Sequence, residues 1–388
     1  MKRLETQVVV VGGGITGCSV LRDLAMRGID SMLFERGNLS EGTTGNFHGL
    51  LHSGGRYAVK DQPAAIECIE ENRILRKIAP QAIEDTGGFF ITLSDEDEEY
   101  LPEFLDGCKA CGIPTEVLSA QEALRAEPVL SPDVRTAVTV PDGSIDGWDF
   151  CLGSVNAAKE LGAQVFLFTP VTDVLIENER VVGIRAKDQN SGEELEVRAE
   201  LVVNATGPWT AQIGELAGID IPMVLSPGTM IVLDGRPVQR VINHCHPSSD
   251  GDIIVPVGTT IVLGTTSKEI DDPDNYSIEQ WEIDVILTEG INMVPKIEEM
   301  GIQRCYAGVR PLYEPPEELT GEETGREVSR AHFVLDHEEL DDLGGFVTIT
   351  GGKVTTARVM AEDTVDLVAE KLGVAEPCRT AEVPLPTA

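Results

Sequence analysis

Gln7-Val8-Val9-Val10-Val11-Gly12-Gly13-Gly14-Ile15-Thr16-Gly17 is an apolar run that breaks into Gly-x-Gly-x-x-Gly, and Ser31-Met32-Leu33-Phe34 is a second apolar run that ends in Glu35. The order strand, glycine turn, helix, strand, acid is that of a dinucleotide-binding βαβ unit. Gly12 permits the tight turn, Gly14 lets a pyrophosphate approach the backbone, and Gly17 lets the helix lie close to the strand. Free N–H groups at the helix start, from about Ile15, and the positive end of its dipole face the phosphates. Glu35 stands 23 positions after Gly12, where an acid ends the second strand and holds a ribose hydroxyl.

Working outward, 388 residues are enough for a large core and two domains. No apolar run approaches the roughly 18 residues of a membrane helix, so no transmembrane segment is expected. Met1-Lys2-Arg3 precedes an apolar run, but Leu4-Glu5-Thr6-Gln7 interrupts it and it ends in a glycine turn. It therefore reads as the first strand rather than a secretory leader, and a cytoplasmic location is expected.

The net charge is −36, from 66 acidic against 30 basic residues. Such a surface repels nucleic acid, so a DNA- or RNA-binding role is excluded. Dense carboxylates stay hydrated in concentrated salt, which also screens their repulsion, so a halophilic source is expected. The clusters Asp95-Glu96-Asp97-Glu98-Glu99, Glu317-Glu318 and Glu322-Glu323 read as solvated faces or loops. Eight scattered cysteines without a secretory signal read as reduced thiols. Cys108 and Cys111 have metal spacing without a second pair, and His244-Cys245-His246 lacks further ligands. No metal is expected.

Beyond the first βαβ unit, Ser40 to Gly55 is a polar glycine-rich tract unsuited to a core strand. Helical periodicity runs from Pro63 to about Ile78, from Glu99 to Cys111 and from Trp148 to Leu161. Gly88 to Leu93, Val165 to Glu177, Arg180 to Lys187 and Glu194 to Ala199 read as strands, the last three as a meander. Leu201-Val202-Val203-Asn204-Ala205-Thr206-Gly207-Pro208-Trp209 is a second strand-to-glycine turn. Strands then fill about 224 to 265, followed by a helix over 278–294. The unit Gly345 to Lys353 leads into an amphipathic helix, Val354 to Leu372, so the C-terminal part returns to the first domain.

Three strand–glycine turns around an inserted sheet exceed what a nicotinamide site needs. The sequence here resembles the amino-acid-oxidase-like flavoproteins, and among them the FAD-dependent glycerol-3-phosphate dehydrogenases of the anaerobic, multi-subunit type. The resemblance runs along essentially the whole chain. It is carried by Gly42-Thr43-Thr44-Gly45-Asn46-Phe47-His48-Gly49-Leu50-Leu51-His52-Ser53-Gly54-Gly55-Arg56-Tyr57, by Ala307-Gly308-Val309-Arg310-Pro311-Leu312 and by Thr350-Gly351-Gly352-Lys353. The corresponding polypeptide of that type continues into a cysteine-rich iron–sulfur domain. This sequence runs to Cys378 and shortly beyond without one, so iron–sulfur binding is not carried over.

The fold expected is α/β: a Rossmann-like FAD-binding domain of discontinuous segments (1–87, 141–215 and 336–388) with an inserted, mostly antiparallel β-sheet substrate domain (88–140 and 216–335). The resemblance implies oxidation of sn-glycerol 3-phosphate to dihydroxyacetone phosphate by hydride transfer to FAD. It also implies partner subunits, located on the inner membrane face, that pass electrons to a quinone.

An anionic substrate entering so acidic a protein needs local cations, and Arg56, Arg310 and Lys353 stand inside the glycine-rich motifs. A guanidinium fork matches phosphate oxygens, and Arg310 precedes proline, which favours an extended mount. Arg310 and Arg56 are assigned to substrate phosphate and hydroxyl groups, Tyr57 to packing on the substrate, and Lys353 to substrate and to negative charge on the reduced flavin. His52 is the first choice of base for the C2 hydroxyl and His48 the second. A histidine hydrogen-bonded or covalently linked to the flavin is the alternative. Cofactor contacts are expected from Gly12, Gly14, Gly17, Glu35 and Arg36, from Thr43, Thr44 and His48, and from Ala205, Gly207, Gly351, Gly352 and Thr355. Two other functions fit the same residues: an FAD enzyme of amino or 2-hydroxy acids, with Arg310 on a carboxylate, and a non-catalytic flavin-bound assembly subunit.

Overall fold

The computed structural model describes residues 1–315 and 331–387. The strand Lys2–Val11 lies at the centre of an eight-stranded sheet, parallel to Ser31–Phe34 on one side and to Glu194–Asn204 on the other. Burial on both faces explains the uninterrupted valine run, as in parallel sheets generally. Val8 and Val10 face the helices Ile15–Met26, Gly147–Glu160 and Ala357–Leu372, while Val9 and Val11 face the opposite layer with Met32, Phe34 and Tyr313.

Glu194–Asn204 has two different neighbours on its far side. Its first half pairs antiparallel with Arg180–Lys187, which in turn pairs with Val171–Glu177 to give the meander. Its last residues, Val202–Asn204, pair in parallel with Phe346–Thr348. The C-terminal part therefore does return to the first sheet. Beyond the last helix, Arg22 is fully buried and its Nη2 donates to the Val383 carbonyl at 2.5 Å.

The second sheet also has eight strands, in the order Ile302–Tyr313, Met223–Leu233, Thr260–Gly264, Ile253–Val257, Val241–His244, Gly88–Ile91, Thr136–Val140 and Glu116–Ser119. All its pairs are antiparallel except Val241–His244 with Gly88–Ile91. The helix Gln280–Met293 packs on it through Ile286 and Met293.

Several local expectations change. Of the two forms expected for the acidic run from Asp95, it takes the solvated face: it is the first turn of the helix Asp95–Ala110, where carboxylates meet the positive dipole end, and Asp97 alone turns inward. Ser94 and Asp97 form a capping box: the Asp97 N–H donates to the Ser94 hydroxyl and the Ser94 N–H to the Asp97 carboxylate. Asp97 is therefore buried rather than solvated. Glu317, Glu318, Glu322 and Glu323 lie outside the described residues.

The strand expected over Val165–Glu177 is two, Gln164–Phe166 and Val171–Glu177, because Phe168 takes a positive φ of 52° and Pro170 follows. The glycine-rich tract holds one buried two-residue strand, Leu50–Leu51. The last helix starts at Ala357, after a 3-10 turn over Val354–Thr356, so Lys353 precedes that turn rather than the α-helix itself.

Helix Ala357–Leu372 is tied to helix Gln62–Ile78 by a buried forked pair, Arg358 Nε to Glu71 Oε2 at 2.8 Å and Arg358 Nη2 to Glu71 Oε1 at 2.5 Å. Glu362 also pairs with Arg358 Nη1 at 2.5 Å, so removing Glu71 leaves that guanidinium partly compensated while two of its nitrogens lose their acceptors. Glu71→Ala is expected to destabilise the protein by about 1–3 kcal/mol in denaturant unfolding, read against the parent under the same salt.

Candidate active site

The C-terminal ends of three parallel strands open onto a cleft of about 510 Å³. The first glycine turn forms its floor. Gly12 has φ +112°, and a Cβ there would stand 2.6 Å from the Ala205 carbonyl oxygen, so the first and second turns touch through glycine. At Gly17 a Cβ would fall 2.0 Å from the Gly12 carbonyl oxygen, which fixes how closely the helix lies on the strand. Gly14 differs: its Cβ would meet only the Thr44 hydroxyl, at 3.3 Å, and Gly14 lines the cleft.

Glu35 lines the same cleft, with one carboxylate oxygen accepting from Gly13 N–H at 2.6 Å and the other from Gly37 N–H at 2.8 Å. Arg36 lies over the Trp209 ring at 3.9 Å, and Asp274 accepts from both Arg36 and the Trp209 indole. Thr44 accepts from the Ile15 N–H through its hydroxyl, 3.0 Å away. Ala205, Gly207, Gly351 and Gly352 all line the cleft, with Gly207, Gly351 and Gly352 at positive φ. Thr355 is wholly buried, and its hydroxyl accepts from the His52 N–H at 3.1 Å.

The long glycine-rich motif is stitched to the second sheet. Thr43 donates to the Val309 carbonyl at 2.6 Å and Tyr306 donates to the Phe47 carbonyl at 2.8 Å. Gly308 lies so close that a Cβ would stand 1.9 Å from the Asn46 carbonyl oxygen. Within the motif, the His52 carbonyl accepts from the Asn72 amide at 3.0 Å, and the Ser53 N–H donates to buried Asp142 at 2.7 Å.

These ties bring His48, His52, Tyr57 and Lys353 into one row. The ring centroids of His48 and His52 are 5.7 Å apart, those of His52 and Tyr57 5.5 Å, and the Lys353 ammonium lies 5.0 Å from the Tyr57 ring. Arg56 pairs with Asp252 at 2.9 Å, with both side chains largely buried. Burial disfavours the Arg56 charge, but the Asp252 carboxylate outweighs it and raises the pKa.

Arg310 donates to the Thr265 hydroxyl at 2.5 Å, the Thr266 carbonyl at 3.0 Å and the Ser226 hydroxyl at 3.3 Å. Gly228 leaves the room for its fork, since a Cβ there would stand 2.5 Å from Arg310 Nη2. Burial, with the Arg56 and Arg310 charges added, pushes the His48 imidazole down to about 3, so His48 is neutral at working pH. Its Nδ1 accepts from the Leu50 N–H at 3.0 Å.

A profile of the family described as "FAD dependent oxidoreductase" matches residues 7–367. The chain belongs to this family. It is 49% identical over 98% of its length to the A1 component of the anaerobic glycerol-3-phosphate dehydrogenase of Haloferax volcanii, covering 66% of that protein. It is 44% identical over its whole length to the A component of the anaerobic glycerol-3-phosphate dehydrogenase of Haemophilus influenzae, covering 68% of it. The chain thus spans about two thirds of the length of these relatives. Among solved structures, the glycerol-3-phosphate dehydrogenase of Bacillus halodurans complexed with FAD superposes with a TM-score of 0.74 at 25% identity, over 98% of this chain and 68% of that one.

FAD is the cofactor, and the cleft fits it. Over Gly14 only the Thr44 hydroxyl comes within reach of a Cβ, Glu35 is fixed by two backbone donors, and three glycine turns line the cleft. Gly12, Gly14, Glu35, Arg36, Thr43, Thr44, Ala205, Gly207, Gly351 and Gly352 all border it. Gly17, His48 and Thr355 stand behind this lining, Gly17 as a packing contact and Thr355 as an anchor of the His52 loop.

Sequence reasoning missed Trp209, which ends the second glycine run, and Asp252, Ser226, Thr265 and Thr266, which hold the two arginines. It also treated His244 and His246 as lacking further ligands. Glu289, on helix Gln280–Met293, joins them, with ligand atoms all within 4.8 Å. Among the described residues Cys108 and Cys111 join no such group. Both are buried free thiols, and burial pushes Cys108 up to about 12.

Because only a hydroxyl faces a Cβ at position 14, Gly14→Val is expected to fold but lose its flavin. Parent-like melting with absent flavin absorbance is the expected result, and stoichiometric FAD in the purified variant would make the turn merely structural.

Proposed function

We propose that the chain oxidises sn-glycerol 3-phosphate to dihydroxyacetone phosphate at the FAD cleft. The observation that carries this reading is a pair of partly buried cations in a protein of net charge −36: Arg56 and Arg310 both act on His48 and, with burial, help hold it neutral. Two guanidinium groups held this way favour an anion locally despite the overall field. The relatives described above carry glycerol 3-phosphate in their names, which supports a phosphate over a carboxylate.

In this reading Arg310 holds the substrate phosphate, its fork pre-set by Ser226, Thr265 and Thr266. Arg56, steadied by Asp252, holds a substrate hydroxyl. Tyr57 packs against the carbon chain. His52, whose backbone is fixed on both sides by Thr355 and Asn72, takes the proton of the C2 hydroxyl on its imidazole. Bound FAD supplies the acceptor for the C2 hydride. Loss of that hydride and of the hydroxyl proton leaves the C2 carbonyl of the product. Lys353, on the cleft wall, contributes positive charge where negative charge gathers during reduction.

The segments 1–87, 141–215 and 336–388 serve the cofactor in this scheme, and 88–140 and 216–335 serve the substrate. Electrons then pass through partner subunits to a membrane quinone, with the chain held peripherally at the inner face from the cytoplasmic side. No helix among the described residues is long and apolar enough to cross a membrane. The carboxylate-rich surface is read as an adaptation to concentrated salt.

Anaerobic addition of sn-glycerol 3-phosphate is expected to bleach the bound flavin, whereas 2-hydroxy acids and amino acids leave it yellow. Bleaching by one of those acids instead would move Arg310 onto a carboxylate, and no bleaching by any of them would favour a non-catalytic role. Arg310→Ala is expected to lower kcat/KM for glycerol 3-phosphate by about 30- to 1000-fold, the equivalent of about 2–4 kcal/mol, with partial rescue by lysine.

A further inference from the structure

His244 closes the strand Val241–His244, His246 follows it, and Glu289 reaches across from helix Gln280–Met293. The two rings meet edge to face with centroids 4.0 Å apart. His246 Nδ1 donates to the Pro247 carbonyl at 2.7 Å, which leaves its Nε2 as the nitrogen with a free lone pair. His244 Nε2 stands 3.0 Å from Asp97 Oδ2. That oxygen is fixed by the N–H groups of Leu93 at 2.7 Å and Ser94 at 2.9 Å, the cap of helix Asp95–Ala110.

An imidazole that donates Nε2–H to a fixed carboxylate turns the Nδ1 lone pair outward, the arrangement that orients metal-binding histidines. His244 Nδ1 faces Glu289 Oε2 at 3.4 Å. This is long for a charge-assisted hydrogen bond. It matches the edge of a tetrahedron, about 3.3 Å, whose centre lies at zinc bond lengths of about 2.0–2.1 Å.

We propose that His244, His246 and Glu289 bind one divalent transition-metal ion of the zinc class, with Asp97 as the carboxylate behind His244. Two imidazoles and one carboxylate suit zinc over magnesium or calcium, which take oxygen ligands. Cys245 is no ligand, being wholly buried among Phe90, Phe104 and Val138.

The position gives the ion a task. The His244 N–H donates to the Asp252 carbonyl at 3.1 Å, the Ser249 N–H donates to the Asp252 carboxylate at 3.0 Å, and that carboxylate pairs with Arg56. The loop from Cys245 to Asp252 thus starts at the metal ligands and ends on the counterion of Arg56. The ion fastens that loop to two helices and, through it, positions Arg56.

The test uses the flavin-loaded chain, stripped with a chelator and dialysed against zinc chloride in molar sodium chloride, which suppresses loose binding to surface carboxylates. One zinc per chain is expected by elemental analysis, with a higher melting temperature on reloading. His246→Gln and Glu289→Gln should each lose the zinc and the melting shift. Asp97→Asn should weaken binding by about 10- to 100-fold, and replacing Cys305 and Cys378 together by serine should change neither readout. Flavin content reports whether each variant folds, and the melting shift of the parent stands on its own where one does not. A parent without stoichiometric zinc or without the shift would overturn the proposal in favour of a protonated His244 held between two carboxylates. Zinc retained by folded His246→Gln and Glu289→Gln would overturn it as well.

Discussion

The cofactor cleft depends on the contact between Gly12 and Ala205, where two glycine turns at the ends of neighbouring parallel strands touch backbone to backbone. Any side chain at Gly12 would drive the two strand ends apart. The cleft exists because they are held together while the third turn, after Phe346–Gly351, closes from the far side of Glu194–Asn204. Local chain geometry at one residue therefore becomes the floor of a cofactor site assembled from parts of the sequence roughly 200 and 350 residues apart.

Electrostatics divides the protein in two. The chain as a whole is crowded with carboxylates, whereas Arg56 and Arg310 both act on neutral His48 and Lys353 lies over Tyr57 on the cleft wall. The guanidinium of Arg56 is partly balanced by Asp252, so its charge is anchored as well as present. Arg310 is held by oxygen atoms of Ser226 on the neighbouring strand Met223–Leu233 and of Thr265 and Thr266, just past strand Thr260–Gly264, which fixes the direction of its fork. A fixed direction matters more than another positive charge where a planar group must meet an oxyanion.

What the sequence made legible was whatever is encoded by neighbours along the chain. The valine run, Gly12, Gly14, Gly17 and Glu35 stand in a fixed local order, and the structure puts Glu35 on the backbone of that same turn. The late Gly351-Gly352 turn was equally readable, because a strand pattern leads into it. Long-range partners were not. Nothing near Arg56 announces Asp252, and nothing near His244 announces Glu289 or Asp97. Asp97 was misread for a related reason: a run of five acids looks solvated, yet the capping geometry at Ser94 turns one of them inward. Phe168 broke a predicted strand through a positive φ that its side chain gives no sign of.

The seam between the glycine-rich motif and strand Ile302–Tyr313 has a mechanical consequence. Thr43, Asn46 and Phe47 meet Val309, Gly308 and Tyr306 through two hydrogen bonds and one contact with no room for a methyl group. A hinge between the two sheets at this line would have to break all three together. The glycine-rich motif, whose Thr43 and Thr44 border the flavin cleft, and the strand carrying Arg310 are thus fastened to one another, so the spacing between the cleft and that arginine is set by this seam.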